Sequence, residues 1–154
     1  MLSIEYLADH QDLAPTLARW HYDEWRDLIP NWSYENALQE LLTHRHRAAI
    51  PTTFVAFRGE ILLGSASLLV EDVPAWRHLT PWVASVYVVP SERGKRVGSR
   101  LVRHAVAVAG QLGVETVYLL TPGQADFYRR LGWSEVGEGS GDRSFVVMAT
   151  PTDL

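Results

Sequence analysis

The chain has 154 residues, of which 47% are hydrophobic and 21% are charged, and it contains no cysteine. This length and composition are typical of one compact domain, so we treat residues 1–154 as a single unit. The lack of cysteine excludes disulfide scaffolds, cysteine-based zinc sites, iron–sulfur centres and thiol nucleophiles. The net charge of −4 disfavours general binding to nucleic acids or to anionic membranes.

The start of the chain does not have the pattern of a targeting sequence. Residues 1–12 carry acidic side chains where a secretory signal has a basic and then an apolar run. No stretch of the chain approaches 18 apolar residues. We therefore expect a soluble, cytoplasmic protein that does not bind a membrane.

The first part of the chain has helical periodicity after a short apolar segment at residues 4–7. Asp12 is suited to cap a first helix that has Pro15 in its first turn, and apolar residues recur at helical spacing up to Leu28. Ser33 is suited to cap a second helix, whose apolar face includes Ala37 and Leu41.

The middle of the chain changes to strand character. Residues 52–57 and 61–70 are rich in apolar and β-branched residues and flank a turn at Gly59, which predicts a hairpin. A polar loop follows over residues 74–81. Residues 82–89 then form an unbroken apolar run that Pro90 ends, which predicts a strand buried on both faces.

The last third of the chain predicts a crossover connection. Apolar residues recur at helical spacing from Arg93 to Gly113, and residues 114–120 form another apolar strand. A strand, a helix and a strand in this order imply two parallel neighbouring strands. With a short helix at 124–131 and closing strands at 134–138 and 143–149, the chain predicts an α/β domain with a mixed sheet.

The loop before the crossover helix is the strongest candidate for a binding site. Five of the fourteen basic residues fall within residues 93–103, although the chain is acidic overall. Backbone N–H groups and the helix dipole favour an anion at this position, and Gly94 and Gly98 permit close approach to a phosphate. The motif is neither a Walker loop nor a dinucleotide-binding loop. The alternative is a solvated basic turn whose glycines serve only the bend.

Two sequence segments in this part of the chain resemble motifs of one known family. Residues 86–101, VYVVPSERGKRVGSRL, resemble the acyl-CoA-binding motif of the GNAT superfamily of N-acetyltransferases, in which a strand ending in Val-x-Pro precedes [RQ]-x-x-G-x-[GA]. Residues 125–133, ADFYRRLGW, resemble a second signature of the family, with Tyr128 followed by Gly132 and an aromatic residue. The resemblance implies a GNAT-like α/β fold: a central, mostly antiparallel sheet with one parallel βαβ crossover and flanking helices.

The resemblance also implies an activity and a set of site residues. The chain would transfer an acetyl group from acetyl-CoA, without a metal, to a primary amine of a small molecule, a peptide or protein N-terminus, or a lysine. A homodimer is compatible with this family. Tyr128 would be the catalytic acid toward the departing thiolate, because a phenol stays protonated at neutral pH. The cofactor would bind in a slot opened by splayed strands, through main-chain groups of Val86, Tyr87 and Val88 and through the loop residues Arg93, Gly94, Lys95, Arg96, Val97, Gly98 and Ser99.

Three departures from the family pattern bear on binding and catalysis. Arg96 replaces the first motif glycine, and Thr121 replaces a frequent asparagine that contacts the cofactor. Ala84 stands where many members carry a glutamate that acts as a base. The base is therefore unassigned, and deprotonation through water is one alternative. The candidate side chains are His21, Glu24, Glu71, Asp72 and His78.

Alternative interpretations remain open at this stage. Five tryptophans either line an acceptor pocket for a cationic amine or pack in the core, namely Trp20, Trp25, Trp32, Trp76 and Trp82. The lack of a glutamate at Ala84 is compatible with a non-catalytic acyl-CoA-binding or sensor domain. A nucleic-acid-binding module is disfavoured, because Arg100 and Arg103 lie on a helix that must bury its other face.

Overall fold

The computed structural model describes residues 1–140 and 144–153, and its elements follow the predicted order. The strands are β1 (Leu2–Tyr6), β2 (Thr52–Arg58), β3 (Ile61–Leu69), β4 (Trp82–Val88), β5 (Thr116–Thr121), β6 (Ser134–Ser140) and β7 (Ser144–Pro151). The helices are α1 (Ala14–Trp25), α2 (Tyr34–Leu42), α3 (Val97–Gln111) and α4 (Ala125–Arg130). The first residue of the strand predicted over 143–149 lies outside the described residues.

The strands form one mixed sheet in the order β1-β2-β3-β4-β5-β7-β6. The β4–β5 pair is parallel and is joined by α3, whereas the other neighbouring strands are antiparallel. The sheet therefore confirms the predicted α/β class, with a mostly antiparallel sheet and one parallel crossover.

Each face of the sheet has its own hydrophobic core. Side chains of a strand alternate in direction, so β2 directs Phe54 into the core beneath α3 and Val55 into the core beneath α1 and α2. Leu101 of α3 and Leu17 of α1 are fully buried in these two cores. Burial of such a leucine contributes about 1.5–3 kcal/mol, so both helices are held by packing on the sheet.

Of the two predicted helix caps, one is wrong and one is confirmed. Asp12 lies in a 3-10 turn and caps nothing, and α1 begins at Ala14. The basic segment from Arg93 to Arg96 precedes α3, because Arg96 has a left-handed backbone conformation with φ of 70° that a helix cannot include. Ser33 caps α2 as predicted, since its hydroxyl accepts a hydrogen bond from the N–H of Asn36.

A bulge divides β4 into two halves. Its pairing with β3 passes from Ser67–Ala84 to Ser65–Tyr87, and Ser85 has a φ of 53°. The extra residue shifts the alternation, so Val86 and Val88 pack beside the α3 core and Tyr87 faces α1. The second half of the strand is also partly exposed, so the predicted burial on both faces holds only for its start.

The polar loop between β3 and β4 packs back onto the sheet. Trp76 lies against β6, where a Cβ added to Gly137 would come within 2.6 Å of the indole. Glycine at this position therefore makes room for the tryptophan. Among the residues that the structure describes, no helix has the length and apolar composition needed to cross a membrane.

The close approach of β3 and β4 depends on Gly64. A Cβ at this position would overlap the carbonyl oxygen of Tyr87 and lie 3.2 Å from the Cα of Val88. We expect Gly64→Ala to lower the free energy of unfolding in urea by about 1–3 kcal/mol, because backbone must move to admit the methyl group. Gly123→Ala is the control, since its Cβ would meet nothing within 4 Å. Equal effects of the two substitutions would contradict the predicted overlap.

Candidate active site

The sheet opens between its two parallel strands. β4 and β5 pair at Trp82–Tyr118, reinforced by a hydrogen bond of 3.0 Å from the Tyr118 N–H to Pro81, and their remaining residues are not paired with each other. β5 instead stays paired with β7 over its whole length, and β4 stays paired with β3. The two strands therefore diverge toward their carboxyl ends and leave the predicted slot.

The edge of β4 presents main-chain groups to this slot. The N–H of Val89 donates to Leu63 of β3 at 2.9 Å. Because C=O and N–H point in opposite directions in a trans peptide, the carbonyl of Val88 points away from β3 and toward the slot. The same alternation directs the carbonyl of Val86 to the slot, whereas the carbonyl of Tyr87 lies against Gly64 of β3.

The loop before α3 presents a row of N–H donors at the same end of the sheet. Gly94 has a φ of 82° and Arg96 a φ of 70°, so the chain turns twice through left-handed conformations before the helix starts. In the described part of the chain, no N–H from Gly94 to Ser99 donates to another backbone group. These donors and the positive end of the α3 dipole together form an anion cradle.

The side chains of the loop are less uniform than its backbone. Val97 is buried in the α3 core, and the Ser99 hydroxyl donates to the carbonyl of Arg96 at 3.0 Å. Lys95 pairs with Glu92 at 3.6 Å, and that carboxylate also pairs with Arg58. The cradle is therefore formed mainly by the backbone, and the role of each loop side chain toward a cofactor stays a prediction.

Arg93 directly precedes the cradle, and its side chain points to α1. Its Nε donates to the carbonyl of Val88 at 2.8 Å, and its Nη2 lies 3.4 Å from each carboxylate oxygen of Glu24. The guanidinium also lies over the ring of Tyr87, 5.5 Å from its centre. Nothing in the spacing of the sequence indicated this contact, because Glu24 lies 69 residues earlier in the chain.

Tyr128 lies on α4, which follows β5 on the other side of the slot. Its ring is buried among Phe127 and Trp133, and this burial raises the pKa of the phenol to about 12. Desolvation is the whole cause of this shift, and among the described residues the hydroxyl has no hydrogen-bond partner. Phe127 lies 4.0 Å from the position of a Cβ on Gly98, so α4 lies beside the anion cradle.

The tryptophans divide between a site and the core. Trp20 and Trp25 on α1 contact the ring of Tyr87, with centre-to-centre distances of 5.7 and 6.2 Å, and Trp20 also packs against the α1–α2 core. Trp82 is fully buried and donates its indole N–H to Leu79 at 2.7 Å, whereas Trp32 packs in the α1–α2 core.

A buried polar network under α1 and α2 was not predicted. His21 lies 2.9 Å from the hydroxyl of Ser65, and His44 lies 2.6 Å from that of Thr53, which contacts Ser67 at 2.8 Å. Burial lowers the pKa of both histidines to about 4, and the charge of His44 lowers that of His21 further. Both rings are therefore neutral near pH 7, and His21 is a weak base there.

The other candidate bases lie at the surface. Glu24 is engaged by Arg93, His78 stacks on Trp76 at 5.9 Å, and Glu71 is exposed. Asp72 is also at the surface, but protein atoms around its carboxyl group, and then the charge of Glu40, raise its pKa to about 6. The pKa of Asp72 therefore lies nearer to neutral pH than the ordinary value of an aspartate side chain.

Two open cavities flank β5. One of about 370 Å³ lies beyond its carboxyl end, between Pro122 and the paired ends of β6 and β7. The other, of about 490 Å³, lies at its amino end near Pro81 and Tyr118 and includes no predicted site residue. Within residues 1–140 and 144–153, no group of three or more His, Asp or Glu side chains could hold a metal ion.

Comparisons with known proteins agree with the geometry. The model of the acetyltransferase (GNAT) family matches residues 14–133, and no curated protein matches the chain significantly. An aminoglycoside 6'-N-acetyltransferase complexed with coenzyme A is 16% identical with a TM-score of 0.76, over 100% of this chain and 98% of that one. Salmonella typhimurium yncA with its cofactor acetyl-CoA is 15% identical with a TM-score of 0.75, over 99% of this chain and 94% of that one. A GNAT-family acetyltransferase from Staphylococcus aureus Mu50 is 12% identical with a TM-score of 0.75, over 99% of this chain and 100% of that one. These likenesses show a shared fold.

The left-handed conformation of Arg96 costs stability. Such a conformation is unfavourable by roughly 1–2 kcal/mol for a side chain with a Cβ, so we expect Arg96→Gly to raise the free energy of unfolding by about 1 kcal/mol. Arg100→Gly is the control, since the same change inside α3 should lower it by about 1 kcal/mol. Urea unfolding measures both, and a loss of stability in both variants would contradict the prediction.

The buried histidines make stability depend on pH. Because their pKa values are about 4 when folded and about 6.5 when unfolded, the unfolded chain binds more protons between these values. Stability should therefore fall as the pH drops from 7 to 4, by about 3 kcal/mol for each histidine. Urea unfolding at several pH values should show this slope reduced in His44→Gln.

The exposed His46 provides the control for this experiment. His46→Gln should leave the pH dependence of stability unchanged, because it removes an imidazole that is not buried in the folded protein. A His44→Gln profile parallel to that of the unmodified protein would show that His44 is not held neutral by burial.

Proposed function

The chain belongs to the acetyltransferase (GNAT) family, as its two motifs predicted, and on that basis we propose that it transfers an acetyl group from acetyl-CoA to a primary amine. One observation carries the proposal: the anion cradle and the free edge of β4 lie at the same end of the sheet. An acyl donor with a pyrophosphate and an extended amide-bearing arm needs both features together.

The donor would bind mainly through the backbone. The N–H groups of residues 94–99 fit the pyrophosphate, and the carbonyls of Val86 and Val88 fit the amides of the pantetheine arm. This assignment is supported by structural neighbours whose names include coenzyme A or acetyl-CoA. Arg96 retains its N–H although it replaces a glycine, so the substitution is compatible with the cradle.

Transfer would proceed by direct attack of the amine. The amine nitrogen bonds to the thioester carbonyl carbon, the carbon–sulfur bond breaks, and the sulfur leaves with the electron pair. Tyr128 would donate a proton to that sulfur, since its phenol is protonated at neutral pH. The chain offers no cysteine for a covalent intermediate.

The proton lost by the amine would pass to water or to a carboxylate at the acceptor side. His21 is a poor candidate because it is buried and neutral with a pKa of about 4. Asp72 is a better candidate than His21, since its pKa of about 6 lies near the working range of a general base.

A non-catalytic acyl-CoA-binding domain is the second candidate, and Ala84 favours it because β4 offers no carboxylate there. The two functions differ in a simple assay. Acetylation of any member of a panel of aliphatic amines, amino sugars and peptides supports the enzyme, whereas tight acetyl-CoA binding without transfer to any of them supports the binding domain.

Calorimetric titration with acetyl-CoA tests the donor assignment. We expect 1:1 binding that weakens as salt increases, because charge contributes to recognition of the pyrophosphate. Absence of binding at millimolar acetyl-CoA would overturn both candidate functions.

Removal of the Tyr128 hydroxyl tests its role as the acid. We expect Tyr128→Phe to lower kcat by about 100-fold or more, the usual contribution of a general acid, and to change the acetyl-CoA affinity less than threefold. Tyr118→Phe, at the opposite end of β5, controls for loss of a hydroxyl. Unchanged turnover in Tyr128→Phe would exclude the residue as the acid.

A further inference from the structure

Arg93 connects the candidate donor site to the first helix. Its guanidinium has three partners: the Val88 carbonyl at 2.8 Å, the Glu24 carboxylate at 3.4 Å and the face of Tyr87 at 5.5 Å. Both charged side chains are partly exposed, at 47% for Arg93 and 39% for Glu24. The ion pair is therefore weak enough to be exchanged for another partner.

The partners of Arg93 form a site for a cation on the α1 face of the sheet. A carboxylate, an aromatic face and a carbonyl oxygen are the three groups that bind ammonium or guanidinium ions. Trp20 and Trp25 contact the ring of Tyr87 and enclose it. We call Glu24 and Tyr87 the α1 cation site, which is filled by a side chain of the protein's own loop.

The acyl donor would compete for two of the same groups. Arg93 adjoins the N–H cradle, so a pyrophosphate bound there attracts its guanidinium with two negative charges instead of one. The pantetheine arm would also use the Val88 carbonyl that Arg93 now contacts. Donor binding and the Arg93–Glu24 pair therefore oppose each other.

We propose that Arg93 is shared between Glu24 and acetyl-CoA, so that donor binding releases the α1 cation site for a positively charged group of the acceptor. This inference rests on the proposed function and adds a coupling, through one side chain, between the donor site and the α1 cation site. The amine that attacks must be neutral, so the cation bound by Glu24 and Tyr87 is a second one. The acceptor class is therefore a diamine or a larger polycation.

Coenzyme A affinity tests the sharing without any acceptor. In low salt, Glu24→Gln should bind coenzyme A about threefold more tightly, because Arg93 no longer has to leave a carboxylate. Arg93→Gln should bind it at least fivefold more weakly. In the double variant, Glu24→Gln should have no effect on the affinity. Calorimetry measures all four proteins.

Asp23→Asn provides the matched control for charge. Asp23 neighbours Glu24 on α1 but pairs with Arg19, at 3.8 Å, and not with Arg93. An equal gain in affinity from Asp23→Asn, or a Glu24→Gln effect that persists without Arg93, would mean that only the general field of α1 matters, and would overturn the sharing.

Release of the α1 cation site is tested with two amines of equal chain length. We expect 1,4-diaminobutane to bind at least fivefold more tightly in the presence of saturating coenzyme A, and n-butylamine to show no such gain. Glu24→Gln should abolish the gain for the diamine. A diamine affinity that coenzyme A does not improve would overturn the proposed release.

The results separate this inference from the proposed function. If coenzyme A does not bind the unmodified protein, the proposed function fails and the inference fails with it. If coenzyme A binds but Glu24→Gln does not change its affinity, only the inference fails.

Discussion

The divergence of β4 from β5 is the constraint on which the candidate site depends. Each strand is committed to an antiparallel neighbour, β4 to β3 and β5 to β7, and the two meet at Trp82–Tyr118. Beyond that pair the carbonyls of Val86 and Val88 have no strand to bond with. Unpaired main-chain groups at a sheet edge are costly to bury and ready to pair with an extended ligand. The fold therefore has a free strand edge inside the sheet, between β4 and β5, in addition to the outer edges of β1 and β6.

The bulge at Ser85 determines what lies on either side of that edge. Because it shifts the alternation of β4, Val86 and Val88 pack on the core beneath α3, and Tyr87 faces the aromatic side chains of α1. The donor side of the site is thus continuous with a rigid core. The α1 side carries the tyrosine ring, a carboxylate and the guanidinium of Arg93. The electrostatic character of the two sides also differs. The α3 side has N–H donors that favour an anion, and the α1 side has the carboxylate of Glu24.

Buried polar contacts hold α1 to the sheet near this division. Packing alone would leave the hydroxyl of Ser65 without a partner under the helices and that of Thr53 with no partner besides Ser67. An unsatisfied buried hydroxyl costs about 1–3 kcal/mol. His21 and His44 supply those partners as neutral rings. The position of α1, and with it Glu24 and Trp25, therefore depends on histidines that take no direct part in the proposed chemistry.

The sequence by itself determined the order of elements, the crossover through α3, the family and the backbone cradle at residues 94–99, because hydrophobic periodicity and glycine-containing motifs are local signals. It also placed Tyr128 after β5, but not the burial that raises its pKa. Only the tertiary structure decided that Trp82 is core while Trp25 borders Tyr87, that Arg96 has a left-handed conformation, and that Arg93 pairs with Glu24. These contacts join residues far apart in the chain, and their energy depends on distance in space, which spacing along a sequence does not encode.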